Sequence, residues 1–268
     1  MIKKRIFKTF LTYSFILVLL LLPPICFNNT YVYAITNVSE IATVLPKVFA
    51  NMTFKTLPYF SLGLKTLNCA VLILFFFSKK IQKHFNVYVF LYMLFITLTQ
   101  NIAYIDGKGF VLSTGSFVLM LVTCFVWLFK IRKEEHHFTI NKEYLWMLAI
   151  VFLCNWYPLD VNARFDFSLN PWPHYLSSTM YCFNMPVFIA FLLMFYKNNY
   201  GLFYEIVGII AFLFSVVTIG LHSMSYRSFP NLIMHFPLLI ASVTMLINCY
   251  LHKLKNYKNR TSKKLQAT

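Results

Sequence analysis

A thiol and an imidazole provide the first chemical hypothesis for this sequence. Cys182 stands early in one apolar block, and His235 stands early in the second block after it. At about 1.5 Å per helical residue, positions about seven and about four residues into their blocks differ in depth by about 5 Å. A thiolate that attacks an acyl carbonyl while a histidine takes the proton would support acyl transfer. The competing interpretations are packing for Cys182 and a helix-end hydrogen bond for His235.

Other polar residues lie near the same predicted membrane surface. Trp172 and His174 stand at the start of the block that holds Cys182, His222 closes the next block, and Arg227 lies in the turn that follows. Ionisable groups at membrane depth cost free energy and mark functional sites. We therefore predict an outward-facing substrate-binding pocket, with a place at the membrane interface as the alternative role of the histidines.

The sequence predicts no metal site and no cofactor. Glu134, Glu135, His136 and His137 are metal-binding residue types, but they lie in a charged loop without a further ligand at a suitable spacing,. A solvated loop is the better interpretation of these residues. The chain has no phosphate-binding loop, dinucleotide fingerprint or HExxH motif,.

The composition requires a membrane as the main solvent for these residues. Of 268 residues, 59% are hydrophobic and 12% are charged, which leaves too little polar surface for a soluble globule. The hydrophobicity falls into blocks of about 17 to 22 residues, each long enough to cross a hydrocarbon core of about 30 Å as a helix. The predicted fold is all-α, a polytopic bundle of seven or eight transmembrane helices.

The chain divides into four predicted segments. Residues 1–34 have a basic start and a long apolar run, which fits either a cleaved signal peptide or a first transmembrane span,. Residues 35–58 form an external segment, 59–251 a membrane domain of seven helices, and 252–268 a basic tail. The seven predicted spans are 59–77, 86–104, 110–129, 143–159, 175–196, 202–221 and 231–251.

The basic residues predict the orientation. The net charge is +16, and most lysines and arginines fall in alternate loops and in the tail. This placement follows the positive-inside rule and puts the C-terminus in the cytoplasm of a plasma-membrane protein. The charge therefore does not predict a nucleic-acid partner. The six cysteines lie in or at the ends of apolar blocks, so no disulfide framework is implied,.

The order of the spans permits an internal repeat. Residues 59–129 and 175–251 each read as three helices, and one further span connects them. An even offset of four spans would make the two copies parallel, as in some small transporters. A parallel repeat of three, one and three helices is one interpretation of the fold.

The C-terminal region of the chain resembles a known membrane family. The relevant elements are Met180-Tyr181-Cys182, Leu202-Phe203-Tyr204, and Phe229-Pro230 before His235. On these residues Pro173–Leu251 resembles the YwaF-like integral membrane proteins, which are related to a membrane acyltransferase that forms ether lipids. The resemblance implies a compact helical bundle with Cys182 and His235 at the family's Cys and His positions. Phe236 departs from the glycine usual after that His, and the His-Leu expected before the Cys is absent.

A second register of the same resemblance leads to a different thiol. It aligns Leu67-Asn68-Cys69 with the family's Cys and Ser113-Thr114-Gly115 with its His-Gly turn. It also matches the segment 170–176, Asn-Pro-Trp-Pro-His-Tyr-Leu, to a Pro-Trp-Pro-Trp-Tyr element near the family's end. Thr114 replaces the histidine in this register, so a catalytic pair would be lost.

These observations predict a multi-pass membrane protein that acts on membrane lipids. The chemistry would be acyl transfer through Cys182 and His235 near the outer leaflet, with membrane lipids as partners. Whether the protein forms a homo-oligomer or binds another membrane partner stays open. Two other functions also stay open. Polar residues on several helices favour a small-solute transporter or permease, and the absence of a strong motif favours a non-catalytic membrane scaffold.

Overall fold

The structure, a computed structural model, describes residues 12–28, 30–50, 58–133, 140–155, 180–195, 201–225 and 233–265. Over these ranges the chain is mostly helical. The helices are α1 (12–20), α2 (Val38–Ala50), α3 (Pro58–Phe77), α4 (Lys79–Gln100), α5 (Thr114–Lys133), a 3-10 helix (Lys142–Met147), α6 (Leu148–Asn155), α7 (Tyr181–Phe195), α8 (Leu202–Ser225) and α9 (Phe236–Leu265). The strands are β1 (Ile25–Phe27), β2 (Val32–Ala34), β3 (Ile102–Ile105) and β4 (Gly109–Leu112).

Four of these helices are long and apolar enough to cross a membrane. Their apolar stretches have mean hydropathies of 1.2 to 2.3 and are Lys79–Gln100, Thr114–Ile131, Leu202–Gly220 and Phe236–Lys255. At about 1.5 Å per residue, each reaches about 27 to 33 Å, which matches a hydrocarbon core of about 30 Å. The prediction of a mostly helical membrane bundle is confirmed to this extent. The count of seven or eight spans and the parallel repeat stay predictions.

Helix α7 lies at the centre of the bundle. Every residue of Tyr181–Phe195 is buried, and the helix packs against α4, α6 and α9. Phe188 and Phe191 make ring contacts with aromatic side chains of α3, α4 and α5. A helix that is apolar on all sides is suited to such a central position.

A four-stranded sheet departs from the all-α prediction. Its strand order is β2-β1-β4-β3, and all neighbouring strands are antiparallel. The β3–β4 turn contains Gly107 and Gly109 with φ of 78° and 79°, a left-handed conformation that glycine adopts at low cost. Both strands overlap predicted spans, 86–104 and 110–129, because short apolar runs at block ends fit a strand as well as a helix.

The sheet and α2 form a second, smaller core, which we call the cap. Cys26, Ala103 and Val111 are buried on one face of the sheet, and Val44 and Val48 of α2 pack against them. Because β1 lies between β2 and β4, the predicted N-terminal segment, residues 1–34, supplies a central strand of the sheet. The division of the chain into four segments stays a prediction.

The ion pair between Glu40 and Lys108 predicts a pH-dependent contribution to the stability of the cap. The hydrogen bond to Glu40 raises the pKa of Lys108 above its ordinary value of 10.5. Since the folded pKa exceeds the unfolded one, the contribution is complete below pH 10.5 and is lost as the pH rises through the folded pKa,. Glu40→Gln should therefore reduce the free energy of unfolding at neutral pH by less than about 1 kcal/mol. The reduction should appear as a lower melting temperature.

Thermal unfolding in detergent at several pH values checks this expectation. The melting curves of the wild type and Glu40→Gln should converge at strongly alkaline pH, where Lys108 is neutral in both. Lys47→Gln is the matched control, because Lys47 is an exposed lysine on the same helix. A difference between wild type and Glu40→Gln that is the same at all pH values would contradict the ion-pair explanation.

Gly115 allows α1 to approach the start of α5 closely. A Cβ at this position would lie 2.4 Å from the carbonyl oxygen of Leu20 and 3.0 Å from its carbonyl carbon. Gly115→Ala should lower the free energy of unfolding by about 1–3 kcal/mol, the usual cost of overpacking. Thermal unfolding measures this loss. In the control Gly220→Ala, the new Cβ meets no atom within 4 Å apart from its two chain neighbours and the backbone of its own helix. Equal melting shifts in both variants would therefore contradict the close approach of α1.

Candidate functional site

Cys182 lies in the packed interior, in the first turn of α7. Thr218 of α8 lies close to its thiol, and the hydroxyl of Thr218 donates to the Phe214 carbonyl at 2.6 Å. Cys154 of α6 is close enough for an electrostatic interaction with the same thiol. The predicted nucleophile is therefore enclosed by three helices.

His235 directly precedes α9 and is also buried. Its carbonyl oxygen accepts a hydrogen bond from the backbone N–H of Leu239 at 3.2 Å, so its backbone forms part of the first turn of the helix. Helix α9 packs against both α7 and α8. The helices that carry Cys182 and His235 are thus neighbours, and a direct contact between the two side chains stays a prediction.

The predicted substrate-binding residues fall largely outside the residues that the structure describes. Trp172, His174 and Arg227 lie outside them, as does the charged loop 134–137. His222 belongs to α8, but its side chain is not among those described. Within the described ranges, no group of three or more His, Cys, Asp or Glu side chains could hold a metal ion.

Polar side chains from four helices meet near Cys182, and we call this group the polar cluster. It consists of Lys65, Asn68 and Cys69 of α3, Tyr88 of α4, Asn155 of α6 and Asn184 of α7. Asn155 ends α6 and follows Cys154, while Asn184 lies in the first turn of α7, two residues after Cys182. The cluster and the predicted nucleophile therefore lie at the same end of α6 and α7.

Asn68 is the centre of the hydrogen bonds within the polar cluster. The hydroxyl of Tyr88 donates to Asn68 Oδ1 at 2.8 Å. Asn68 Nδ2 is 3.4 Å from Asn155 Oδ1 and 3.5 Å from Asn184 Oδ1. One side chain thus connects four helices.

Cys69 and Lys65 add a thiol and a positive charge to the polar cluster. Cys69 Sγ is 3.6 Å from Asn155 Oδ1 and is partly exposed. Lys65 is buried, and its charge interacts with the Cys69 thiol. Burial of a lysine is costly, which makes this position a functional candidate by physical cost alone.

An apolar groove begins one helical turn from the polar cluster. It has a volume of about 350 Å³ and is lined by Leu72, Ile73, Phe76, Phe77, Leu148, Val151 and Phe191. Leu72 follows Asn68 by one turn on α3, whereas Val151 precedes Asn155 by one turn on α6. The two helices are therefore antiparallel. On both of them the residues that line the groove lie on the same side of the polar cluster.

Polar residues at the end of α4 have a structural role. Gln100 Oε1 accepts a hydrogen bond from the backbone N–H of Tyr181 at 2.7 Å, which fixes the start of α7. Asn101 is the C-cap of α4, and its side chain bonds to the Thr97 carbonyl and to Ser116 of α5. These contacts hold α4, α5 and α7 together at the end of the bundle where the cap begins.

The two registers of the family resemblance lead to different thiols in the fold. Cys182 is enclosed between helices, whereas Cys69 belongs to the polar cluster. No family model, curated protein or solved structure matches this chain. The resemblance to the YwaF-like proteins and the choice between the two registers therefore stay predictions.

Sequence reasoning missed Lys65, Tyr88 and Asn155 as site residues. The contribution of α3 had a recognisable signal, because Lys65, Asn68 and Cys69 are spaced at i, i+3 and i+4 and so share one face of an apolar helix. Tyr88 and Asn155 have no comparable pattern in their own helices. Only the packing of α3 against α4 and α6 reveals them as neighbours.

Proposed function

We propose that this chain is a multi-pass protein of the plasma membrane, with a cytoplasmic C-terminus, that acts on membrane lipids. The observation that carries the proposal is a polar cluster next to an apolar groove on the same helices. A lipid has the same division between a polar end and an apolar chain. The cluster would hold the polar end, and the groove would hold one acyl chain.

The walls of the groove favour a lipid over a water-soluble substrate. Phe77 is 82% exposed and Ile73 is 60% exposed, so the groove opens towards the surface that faces acyl chains in a membrane. Its volume of about 350 Å³ lies within the range of about 300–1,000 Å³ usual for small-ligand sites,. A polar solute would gain little from these side chains, which makes a small-solute transporter the weaker candidate.

The narrower form of the proposal is acyl transfer by Cys182 and His235. The Cys182 sulfur attacks the carbonyl carbon of a lipid ester, and its proton passes to His235. The ester C–O bond breaks, the departing alkoxide takes the proton from His235, and the acyl group stays on Cys182 as a thioester. A second alcohol then gives its proton to His235 and attacks the thioester, which forms the new ester and restores the thiol. The packing of α7 against α9 supports this pairing.

Lipid conversion in proteoliposomes tests the proposed function. Purified protein is reconstituted with a phospholipid that carries an isotope-labelled acyl chain and with a lipid alcohol as acceptor, and the lipids are analysed by mass spectrometry. We expect the label to appear in the acceptor only when the protein is present. Absence of both conversion and co-purified lipid would overturn the proposal, and accumulation of an aqueous solute inside the vesicles would favour transport.

A further inference from the structure

The cap has one sheet face that α2 does not cover. Cys26, Val111 and Ala103 form one cross-strand row on the covered face. The neighbouring row on the opposite face pairs Val32 with Phe27, Phe27 with Phe110, and Phe110 with Tyr104. All four side chains are exposed: Val32 by 63%, Phe27 by 44%, Phe110 by 54% and Tyr104 by 59%. The row therefore crosses all four strands and is apolar throughout.

A second row on the same face is also apolar. Ile25 pairs with Ala34 and with Leu112, and Leu112 pairs with Ile102. The face opposite α2 thus carries eight apolar residues in two adjacent rows, of which Ile25, Ile102 and Leu112 are half-buried and the other five are exposed. Isolated exposed apolar residues are ordinary, whereas a contiguous apolar face indicates an interaction surface.

The strands are joined closely to the helices of the membrane bundle. One residue, Asn101, separates α4 from β3, and one residue, Ser113, separates β4 from α5. At about 3.8 Å between consecutive Cα atoms, the sheet must begin within a few ångströms of the helix ends. Leu21, which directly follows α1, is also highly exposed. The apolar sheet face is therefore next to surfaces that suit lipid contact.

The other side of the cap has a different chemical character. Three of the five residues of α2 that the structure describes as exposed are polar, namely Ser39, Thr43 and Lys47, and the other two are Val38 and Ala42. The turn of the β3–β4 hairpin contains Asp106 and Lys108. The cap is thus amphipathic, with a polar side formed by α2 and an apolar side formed by the sheet, which is the division found in elements that lie in a membrane interface.

We propose that the uncovered sheet face rests on the bilayer, with Phe27, Phe110 and Tyr104 among the lipid head groups and upper acyl chains. Tyrosine favours this zone, and phenylalanine is common on the apolar face of elements that lie in the interface. An open sheet edge would be left unsatisfied in the hydrocarbon core, so the sheet lies in the interface and does not enter the core. The occupant of the face is phospholipid, and the exposed polar residues of α2 are in water. This inference does not depend on acyl transfer or on the groove.

Photo-crosslinking in vesicles of phosphatidylcholine and phosphatidylglycerol tests this surface. A benzophenone side chain is introduced at Phe110 or Tyr104, and at Thr43 as the control on the polar side of the cap. We expect phospholipid adducts at positions 110 and 104 to exceed those at 43 by about tenfold, as judged by mass spectrometry of the irradiated protein. Size-exclusion chromatography and thermal unfolding establish that each labelled protein is folded.

Two results would overturn the inference. Adducts between two protein chains at positions 110 and 104 would identify the face as an interface between copies. Equal, low lipid labelling at all three positions would show that the face is in water. Because the readout is contact with lipid, it is independent of lipid conversion, and loss of the proposed enzymatic function would leave the expected labelling unchanged.

Discussion

Cys182→Ala is expected to abolish lipid acyl transfer. If the Cys182 sulfur carries the acyl group, no thioester can form without it, and the rate should fall by about a thousandfold or more. His235→Ala should reduce the rate by about 10²- to 10⁴-fold, because the proton of the thiol would have no positioned acceptor. The double variant should be no slower than Cys182→Ala, since the two residues act in the same step. The proteoliposome assay with labelled phospholipid measures all three rates.

Two other cysteines serve as matched controls for this expectation. Cys154 is buried and near enough to Cys182 for an electrostatic interaction, and Cys154→Ala should leave the rate of transfer nearly unchanged. Cys69→Ala tests the thiol of the polar cluster. Full activity in Cys182→Ala together with loss in Cys69→Ala would contradict the first assignment and identify the second register as the correct one.

Labelling with an acyl-type electrophile separates coupling from folding defects. A thiol paired with an imidazole has more thiolate character and reacts faster. We therefore expect labelling of Cys182 in membranes to slow when His235 is replaced by alanine. Unchanged labelling in His235→Ala would show that the two side chains do not act together, even if both variants are folded.

The long helices could be predicted from the sequence because lipid imposes a simple length requirement. The predicted span 110–129 corresponds to α5, Thr114–Lys133, and the span 202–221 corresponds to α8, Leu202–Ser225. In both cases an apolar block of the required length must form its hydrogen bonds internally. This requirement does not depend on which helices become neighbours.

The sheet could not be predicted from hydrophobicity alone. The residues of β3 and β4 are as apolar as those of the adjoining helices, and three or four residues are too few to show an alternating pattern. The glycines of the hairpin turn were the available signal, since Gly107 and Gly109 flank Lys108 between two runs of β-branched and aromatic residues,. The pairing of β1 with β4 joins residues far apart in the chain and has no local signal.

Only part of the polar cluster could be predicted from the sequence, because its contacts also join residues that are far apart in the chain. Cys69 appeared through the family resemblance, and Asn184 stands two residues after the predicted nucleophile Cys182. Their connection depends on Asn68 reaching both Asn155 and Asn184 across three helices. Hydrophobic periodicity gives the face of a helix but not its neighbour, so the site emerges only from packing.

The mature protein is expected to retain the segment that holds α1, β1 and β2. Ile16 is buried in the main core, and the hydroxyl of Tyr13 donates to Glu205 Oε1 at 2.6 Å. Glu205 also forms an ion pair with Lys253 at 2.5 Å, so α1 is connected to α8 and α9. Cleavage after Ala34 would remove these contacts together with two of the four strands.

Removal of residues 1–34 should therefore prevent stable folding. It would expose Val111 and Ala103 in the cap and would remove Ile16 and Cys26 from the two cores. At about 1.5–3 kcal/mol for each large buried side chain, the loss approaches the 5–15 kcal/mol that typically stabilises a whole domain. We expect the truncated protein to aggregate or to be degraded, as measured by yield and by size-exclusion chromatography.

The intact mass of C-terminally tagged protein purified from membranes decides between a retained segment and a signal peptide. We expect the mass of the full chain. Ala34→Leu is the matched control, because signal cleavage needs a small residue at this position and Ala34 is exposed in the fold. Equal full-length masses for wild type and Ala34→Leu would agree with retention. A short wild-type mass restored to full length by Ala34→Leu would identify the segment as a cleaved signal and would require β4 to pair differently in the mature protein.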